Sequence, residues 1–353
     1  MDPLTHALAG AALARASAPR HAVGNQLSVP ARVIAGTVAA VLPDVDGLLL
    51  FVSPVAYLNQ HRGLTHSVLL LPIWSFLLAW LFAHLARDRR GWRPWFGICA
   101  LGIASHTLLD LITSYGTMLA APVSWHRFSL RTTFIIDLWL SSTLVAGLVA
   151  SLVLPRSRVP ASIACAVVVG YVGLQLGLRE RAHTFGLAHA ASSGLDKATV
   201  VAHPRPVSPF NWTVYVRSGA DIHYAHVNLI RRHAKPQPSP DAGFIERLDA
   251  PYRPLDDAVW QTRSRFGESG GDRALARSAW LADELDFFRR FAELPVYDGT
   301  SPGTGCVWFF DLRFEAPGRD TVPFRYGACR DAPEARWRVH EVDKRGRIVR
   351  LAR

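Results

Sequence analysis

The stretch HRGLTHSVLLLPIWSFLLAWLFAHLA, residues 61–86, puts two histidines and an arginine directly before a long apolar run. The run predicts a membrane helix, because about 20 apolar residues cross the hydrocarbon core of a bilayer. Ionisable side chains are costly at such a position and usually pair, bind a ligand or face water. The stretch therefore indicates a membrane protein with a polar site at the mouth of a span.

Further apolar runs on both sides of this stretch predict more spans. The predicted segments are residues 33–52, 67–86, 95–113, 134–154 and 160–178. The first contains Pro43, Asp44 and Asp46, which favours a broken or re-entrant helix. LTHALAGAALA near the N-terminus is too short to span, and a cleaved signal peptide is not expected there.

The predicted fold is an α-helical polytopic membrane domain over residues 1–180, with about five spans plus a short N-terminal helix. A smaller α+β extramembrane domain is predicted for residues 181–353. Within it, WTVYVRSGADIHYAHVNLI (212–230) alternates like a strand pair, and RALARSAWLADELDFFRRFAEL (273–294) has helical spacing. Four histidines in this domain are interpreted as surface or core residues rather than a second metal site: His203, His223, His226 and His233.

The formal net charge is +11, and in the apolar half of the chain arginines flank the apolar runs. This placement favours a topological role over nucleic-acid binding, so no nucleic-acid partner is expected. The flanking arginines include Arg15, Arg20, Arg32, Arg87, Arg89, Arg90, Arg93, Arg156 and Arg158. With their loops in the cytoplasm and five spans, loops 53–66 and 114–133 face outward and the C-terminal domain is periplasmic.

Cys306 and Cys329 bracket a segment that reads as two strands joined by a turn. Folding this hairpin brings the two cysteines opposite each other, within reach of a disulfide. A disulfide would indicate an oxidising compartment. Two free thiols are the alternative, and the spacing leaves both open.

Ionisable residues in or beside the spans fall at one depth under this topology. They are Asp44, Asp46, His61, Arg62, His66, His106, Asp110 and Asp137. His106 and Asp110 are four residues apart and share one helical face. Imidazole and carboxylate together suit a divalent ion such as zinc or manganese, which activates water. Arg62 is a candidate clamp for an anionic group such as phosphate.

Structural interpretations compete with this one. Asp137 and Asp2 are typical helix N-caps, and His84 is interpreted as a packing residue. Two other functions also fit intramembrane polar residues. One is a proton-coupled transporter or channel, and the other is a non-catalytic membrane anchor for a partner-binding domain.

Four motifs in order resemble the predicted membrane-bound metal-dependent hydrolases, a bacterial inner-membrane family described as LexA-regulated. They are DPLTHALAG (2–10), LPDVDG (42–47), HRGLTHS (61–67) and SHTLLDLITSYGT (105–117). The motif order is distantly similar to that of zinc-dependent phospholipase C. The resemblance implies a bacterial inner-membrane location and these candidate metal ligands: His6, Asp44, Asp46, His61, His66, His106 and Asp110, with Asp137 as a weaker addition.

The function expected from the residues and the resemblance together is an integral membrane hydrolase that holds one or two divalent ions. Water activated by the metal would attack an ester, with a phosphoester of a membrane lipid as the expected substrate. Asp44, Asp46 and Asp110 are the candidate catalytic carboxylates, and one without a metal would serve as general base. Arg62 completes the predicted catalytic set. Metal identity, oligomeric state and regulators are left open.

Overall fold

A computed structural model of the protein divides the chain into two compact units. The first comprises Met1–Leu48 and Gln60–Gly177, and the second comprises Leu49–Asn59 and Leu178–Arg353. The residues that the structure describes are 1–19, 26–239, 241–268, 270–301, 305–319, 321–332, 334–342 and 346–351. Arg20, assigned above to a cytoplasmic loop, lies outside them. The predicted division at residue 180 falls close to the later of these boundaries.

The helical elements are named in chain order. They are α1 (Pro3–Ala16), α2 (Val29–Val41), α3 (Pro54–Gln60), α4 (Leu71–Leu85), α5 (Arg93–Leu111), α6 (Leu138–Val153) and α7 (Val159–Ser192). A 3₁₀ segment, Leu42–Phe51, continues α2 through LPDVDG, and a short 3₁₀ turn covers Leu64–His66. The side chain of Asp2 accepts a hydrogen bond from the Thr5 amide at 3.0 Å, so Asp2 is the N-cap of α1, as its sequence context suggests.

Small residues let α1, α2 and α5 approach closely. A Cβ atom placed on Gly10 would lie 2.3 Å from the carbonyl oxygen of Gly36, and one on Gly36 would lie 2.8 Å from that of Gly10. A Cβ on Gly102 would lie 2.7 Å from the Cβ of Ala39. Glycine and alanine are what permit such contacts between membrane helices. The interface holds the ends of these three helices at fixed positions, and those ends carry the site.

The prediction of about five spans is wrong. Among the described residues, three helices are long and apolar enough to cross a membrane: Val29–Phe51, Arg93–Leu111 and Val159–Ser192. Pro54–His66 and Leu71–Leu85 together pass the same test but are bent by 78°, as a broken span or re-entrant loop would be. The remaining apolar helix, α6, has only 16 residues.

The physical reason for this difference lies at the starts of α4 and α6. Each of these two helices begins later than its apolar run. α4 begins only at Leu71, with Pro72 in its first turn, and α6 begins only after its N-cap, Asp137. The resulting 15 and 16 residues correspond to helices of about 22 to 24 Å. A hydrocarbon core is about 30 Å thick. Hydropathy alone therefore overestimated the length of both helices.

Arginines gather at the end of the first unit where α1 ends and α2, α5 and α7 begin. Arg15 donates to the carbonyl of Ser157 at 2.9 Å, in the loop between α6 and α7. Arg32 at the start of α2 donates to the carbonyl of Ser17 at 3.2 Å. This end, here called the arginine-rich end, is opposite the N-terminus of α1 and the C-terminus of α5.

The second unit contains two antiparallel sheets and is α+β, as predicted. One sheet has the order β1 (Thr199–Pro204), β2 (Asn211–Ser218), β3 (Asp221–Asn228), β4 (Gln261–Ser264). The other has the order β5 (Pro295–Ser301), β6 (Cys306–Asp311), β7 (Tyr326–Cys329), β8 (Arg338–Val342), β9 (Ile348–Arg350). The accompanying helices are α8 (Phe244–Asp249), α9 (Gly270–Leu281) and α10 (Asp286–Phe291).

Two details of this unit bear on the sequence predictions. The strand pair predicted over residues 212–230 is the hairpin β2–β3, with SGAD (218–221) at its turn, in register from Asn211 opposite Asn228 to Ser218 opposite Asp221. The helix predicted over 273–294 is instead interrupted after Leu281 by the 3₁₀ turn Asp283–Leu285. Cys306 and Cys329 lie opposite each other on β6 and β7 and form a disulfide, which decides between the two alternatives left open above.

Candidate metal centre

The ionisable residues singled out in the sequence converge at the end of the first unit opposite the arginine-rich end. His6 comes from the first turns of α1, and Asp44 and Asp46 come from the 3₁₀ segment after α2. His106 and Asp110 occupy the last turns of α5. The HRGLTHS segment supplies His61, Arg62 and His66. The side chains of His6, His66, His106 and Asp110 are 0% exposed.

One group of four potential ligands comprises Asp44, His66, His106 and Asp110, whose ligand atoms all lie within 4.8 Å of one another. The Nε2 atoms of His66 and His106 are 2.9 Å apart. Nε2 of His66 is 3.1 Å from Oδ2 of Asp110, and Nε2 of His106 is 3.6 Å from Oδ1 of Asp44. Two imidazoles and two carboxylates in this arrangement form a donor set that suits zinc or manganese.

The backbone of α2 orients His106. Nδ1 of His106 is 2.7 Å from the carbonyl oxygen of Ala40, which can only accept a hydrogen bond. Nδ1 must therefore carry a proton, and Nε2 is the ring nitrogen that faces His66, Asp44 and Asp110. A carbonyl behind the distal nitrogen is the usual way in which proteins orient a metal-binding histidine.

A second group comprises Asp44, Asp46 and His61, and it shares Asp44 with the first. Oδ1 of Asp46 is 2.7 Å from Nδ1 of His61. Oδ2 of Asp46 accepts hydrogen bonds from the Arg62 amide at 2.9 Å and from the Thr65 hydroxyl at 2.8 Å. Asp46 thus fixes the conformation of the HRGLTHS segment as well as one side of this group.

His6 lies against the first group. Its ring stacks on that of His106, with centroids 3.7 Å apart, and its Nε2 is 3.2 Å from Oδ1 of Asp110. Nδ1 of His6 has no hydrogen-bond partner among the described residues although it is buried. A buried polar atom without a partner is rare in native structures and fits a site that receives a further group.

Positive groups surround Asp110. Nε of Arg62 is 2.9 Å from Oδ2 of Asp110, and the Met1 amino group forms an ion pair with Oδ1. Nη1 of Arg62 also donates to the Thr113 hydroxyl at 2.8 Å, and its guanidinium lies over the ring of Tyr115. These contacts place Arg62 inside the site, bonded to a carboxylate. Its role as an anion clamp stays a prediction.

The structure does not bring Asp137 into either group of the described residues. Oδ1 of Asp137 accepts hydrogen bonds from the amides of Trp139 and Leu140, both at 3.0 Å, as an N-cap does. Its Oδ2 accepts a hydrogen bond from the hydroxyl of Tyr171 on α7 at 2.8 Å. The structural interpretation of Asp137 describes these contacts fully.

Three residues of the site were not identified from the sequence as functional. Thr65 bridges Asp46 and His66, with its hydroxyl 2.9 Å from Nδ1 of His66. Thr113 and Tyr115 hold Arg62 from the segment after α5. All three lie inside quoted motifs, but a hydroxyl next to histidines in a sequence does not show which group it contacts.

Comparisons with known proteins point to inner membrane proteins in two of three cases. The family model described as "YdjM inner membrane protein" matches residues 1–182. "Uncharacterized protein YfhP" of Bacillus subtilis is 30% identical over 140 residues, which are 38% of this chain and 42% of that protein. "Inner membrane protein YbcI" of Escherichia coli is 34% identical over 98 residues, 27% of this chain and 54% of that one. The chain thus spans only about half the length of these relatives.

No solved structure matches the chain. The matched residues 1–182 hold the helices Val29–Phe51 and Arg93–Leu111, most of Val159–Ser192, and every side chain of the two ligand groups. The family match, the similarity to YbcI and the apolar helices agree on an inner-membrane location. The chain is a member of the YdjM inner membrane protein family.

Proposed function

We propose that this protein is a metal-dependent hydrolase of the inner membrane. The observation that carries the proposal is the pair of buried ligand groups that share Asp44. Three chain segments contribute to them, residues 44–46, 61–66 and 106–110, and together they bring six ionisable side chains into one largely buried site. Burying such groups together is costly unless they are paired or bind a metal.

The donor set fits one or two divalent ions, with zinc or manganese preferred because imidazole and carboxylate are both present. Such an ion would lower the pKa of water and polarise the oxygen of an ester. His66 and His106 would be ligands of the first group and His61 of the second, with Asp44 between them. His6 and Asp110 would complete the first group.

The protein's own residues would prepare the site in three ways. The Ala40 carbonyl holds His106 in the tautomer whose Nε2 faces the group. Arg62 and the Met1 amino group form ion pairs with Asp110 and hold its carboxylate in place. Asp44 is the most accessible of the three carboxylates, with 20% of its side chain exposed against 7% for Asp46 and 0% for Asp110. It is therefore our candidate for the carboxylate closest to a bound substrate.

Apolar side chains beside the site support a lipid ester as the substrate. Val45 and Leu48, next to Asp44 and Asp46, are 50% and 60% exposed, and Leu64 of HRGLTHS is 38% exposed. A water-soluble substrate needs no such rim, whereas acyl chains bury apolar surface against it. A phosphoester of a membrane lipid combines an apolar body with a group that a divalent ion can polarise.

We place the site and the C-terminal domain on the periplasmic side. Arginines at the opposite end of the first unit favour the cytoplasm. The Cys306–Cys329 disulfide favours an oxidising compartment for the second unit. Neither argument uses the number of spans.

Metal analysis of the purified full-length protein tests the proposal. We expect near-stoichiometric zinc or manganese in the wild type, and a loss of most of it in His106→Ala and in Asp110→Asn. His84→Ala is the control, because His84 stacks on Trp80 in α4, outside the site. The same variants are then assayed on phospholipid vesicles before and after removal of metal with a chelator.

Three results would contradict the proposal. The first is a wild-type protein that binds no divalent ion after reconstitution, and the second is His106→Ala with unchanged metal content and hydrolysis. Metal binding without hydrolysis of any phospholipid or carboxylic ester would leave a metal centre but remove the assignment as a hydrolase.

A further inference from the structure

A cavity of about 740 Å³ lies at the arginine-rich end, far from the candidate metal centre. Its walls are Arg15 in the last turn of α1, Ala18 and Pro19 after that helix, and residues 153–159, which run from the end of α6 to the start of α7. Every one of these residues belongs to the first unit. The metal-centre proposal uses none of them, so the cavity needs an explanation of its own.

Three arginines line the cavity, and the part of it that the structure describes contains no carboxylate. Arg15 is 8% exposed and is fixed by hydrogen bonds to the carbonyls of Leu154 and Ser157, at 3.5 and 2.9 Å. Arg156 and Arg158 are exposed. Neutral carbonyls satisfy the donors of Arg15 without cancelling its charge, so the cavity is strongly positive.

Carboxylates of the first unit cannot neutralise this charge from nearby. Asp44, Asp46 and Asp110 are at the metal centre, and Asp2 and Asp137 cap helices at that same end. Asp88, near the start of α5, pairs with Arg90 at 2.8 Å. The start of α7 at Val159 adds the positive end of a long helix dipole to the cavity wall.

The rest of the wall is apolar and exposed. Val153 and Leu154 at the end of α6 are 75% and 53% exposed, and Val159 at the start of α7 is 55% exposed. In a bilayer such side chains contact acyl chains. A positive cavity that continues into an acyl-facing surface matches an amphiphile with an anionic head and apolar tails.

We propose that this cavity binds the phosphate headgroup of an anionic phospholipid of the inner leaflet. Arg156 and Arg158 contact the phosphate, Arg15 supplies fixed positive charge behind it, and the acyl chains run along Val153 and Val159. Basic pockets between membrane helices on the cytoplasmic side hold anionic lipids in this manner. The inference does not depend on the proposed hydrolase activity.

The test counts lipids bound to the full-length protein by native mass spectrometry during titration with phosphatidylglycerol. Arg156→Gln/Arg158→Gln removes two charges from the cavity. Arg89→Gln/Arg93→Gln is the matched control, since both residues are exposed at the same end and outside the cavity. Arg15 is left intact because its bonds to the loop between α6 and α7 make it part of the fold.

We expect the cavity variant to bind phosphatidylglycerol about tenfold more weakly than the wild type, while the control stays within about twofold. We also expect inorganic phosphate not to displace the lipid, because phosphate lacks the acyl contacts. Equal losses in both variants would show general surface charge, and no loss in either would remove the site. Displacement by phosphate at the concentration that saturates its own binding would assign the cavity to a soluble anion. Each of these three results overturns the proposal.

Discussion

Two glycines of α5 should respond oppositely to replacement by alanine, because only one of them packs against α2. A Cβ on Gly102 would lie 2.7 Å from the Cβ of Ala39 and 2.8 Å from the carbonyl oxygen of Gly36. Since ordinary contacts are about 3.5 to 4 Å, Gly102→Ala must part the helices by about 1 Å. Gly97, five residues earlier on α5, has nothing within 4 Å of the same position.

Opposite effects on stability follow from this difference. Overpacking by one methyl group costs about 1 to 3 kcal/mol, whereas replacing glycine by alanine inside a helix gains about 0.5 to 1 kcal/mol. We therefore expect Gly102→Ala to lower the free energy of unfolding of the first unit by about 1 to 2 kcal/mol. Gly97→Ala should raise it by about 0.5 kcal/mol.

Cys99 offers a local reporter for this measurement. It is a free cysteine on α5 and is 0% exposed. Both variants would be made in a Cys165→Ser background, heated in detergent with a maleimide dye, and compared by the midpoint of Cys99 labelling. The midpoint should fall for Gly102→Ala and stay level or rise for Gly97→Ala. Equal midpoints, or a rise in both, would refute the close packing of α2 on α5.

Three further outcomes follow from single contacts. Burial and the neighbouring Arg205 lower the pKa of His226 to about 3, so the unfolded chain takes up a proton first as the pH falls below about 6.5. The second unit should lose about 2 kcal/mol of stability between pH 7 and pH 5, and His226→Gln should lessen this loss in unfolding followed by tryptophan fluorescence. Cys306→Ser/Cys329→Ser removes a disulfide between residues separated by 23 positions in the sequence, so it should lower the free energy of unfolding by about 3 kcal/mol. Reduction of the wild type should have the same effect. Asp137→Ala should cost about 1 kcal/mol through the lost cap of α6 with unchanged metal content, and metal loss would show that Asp137 does belong to the site.

Local sequence was a reliable guide wherever one segment decides its own structure. Asp2 before Pro3 is the N-cap of α1, and the alternation around SGAD is the β2–β3 hairpin. The cysteines at 306 and 329 are opposite each other because a hairpin folds about its turn whatever surrounds it. Span counting failed for the opposite reason. Hydropathy measures how apolar a segment is, whereas the length of a helix depends on where a cap or a proline lets it begin.

The residues of the candidate centre could be selected from the sequence, since imidazoles and carboxylates in apolar runs are conspicuous there. Which of them meet could not be derived in the same way. His66 and His106 lie next to each other because separate segments pack together. Asp137 instead caps α6. Arg62 points to Asp110, with Thr113 and Tyr115 holding it, which no spacing rule would predict.

The sequence by itself determined the class of this protein: an apolar helical part carrying polar motifs, followed by an α+β unit. The length of an apolar run, the residue types and the alternation of a strand are properties of short stretches of sequence. They can therefore be read without knowing which distant residues pack together. Only the tertiary structure decided that Asp44 belongs to two ligand groups and that Ala40 orients His106. Those relations depend on how closely α1, α2 and α5 approach one another. Glycines at the helix contacts permit this approach because they have no side chain there.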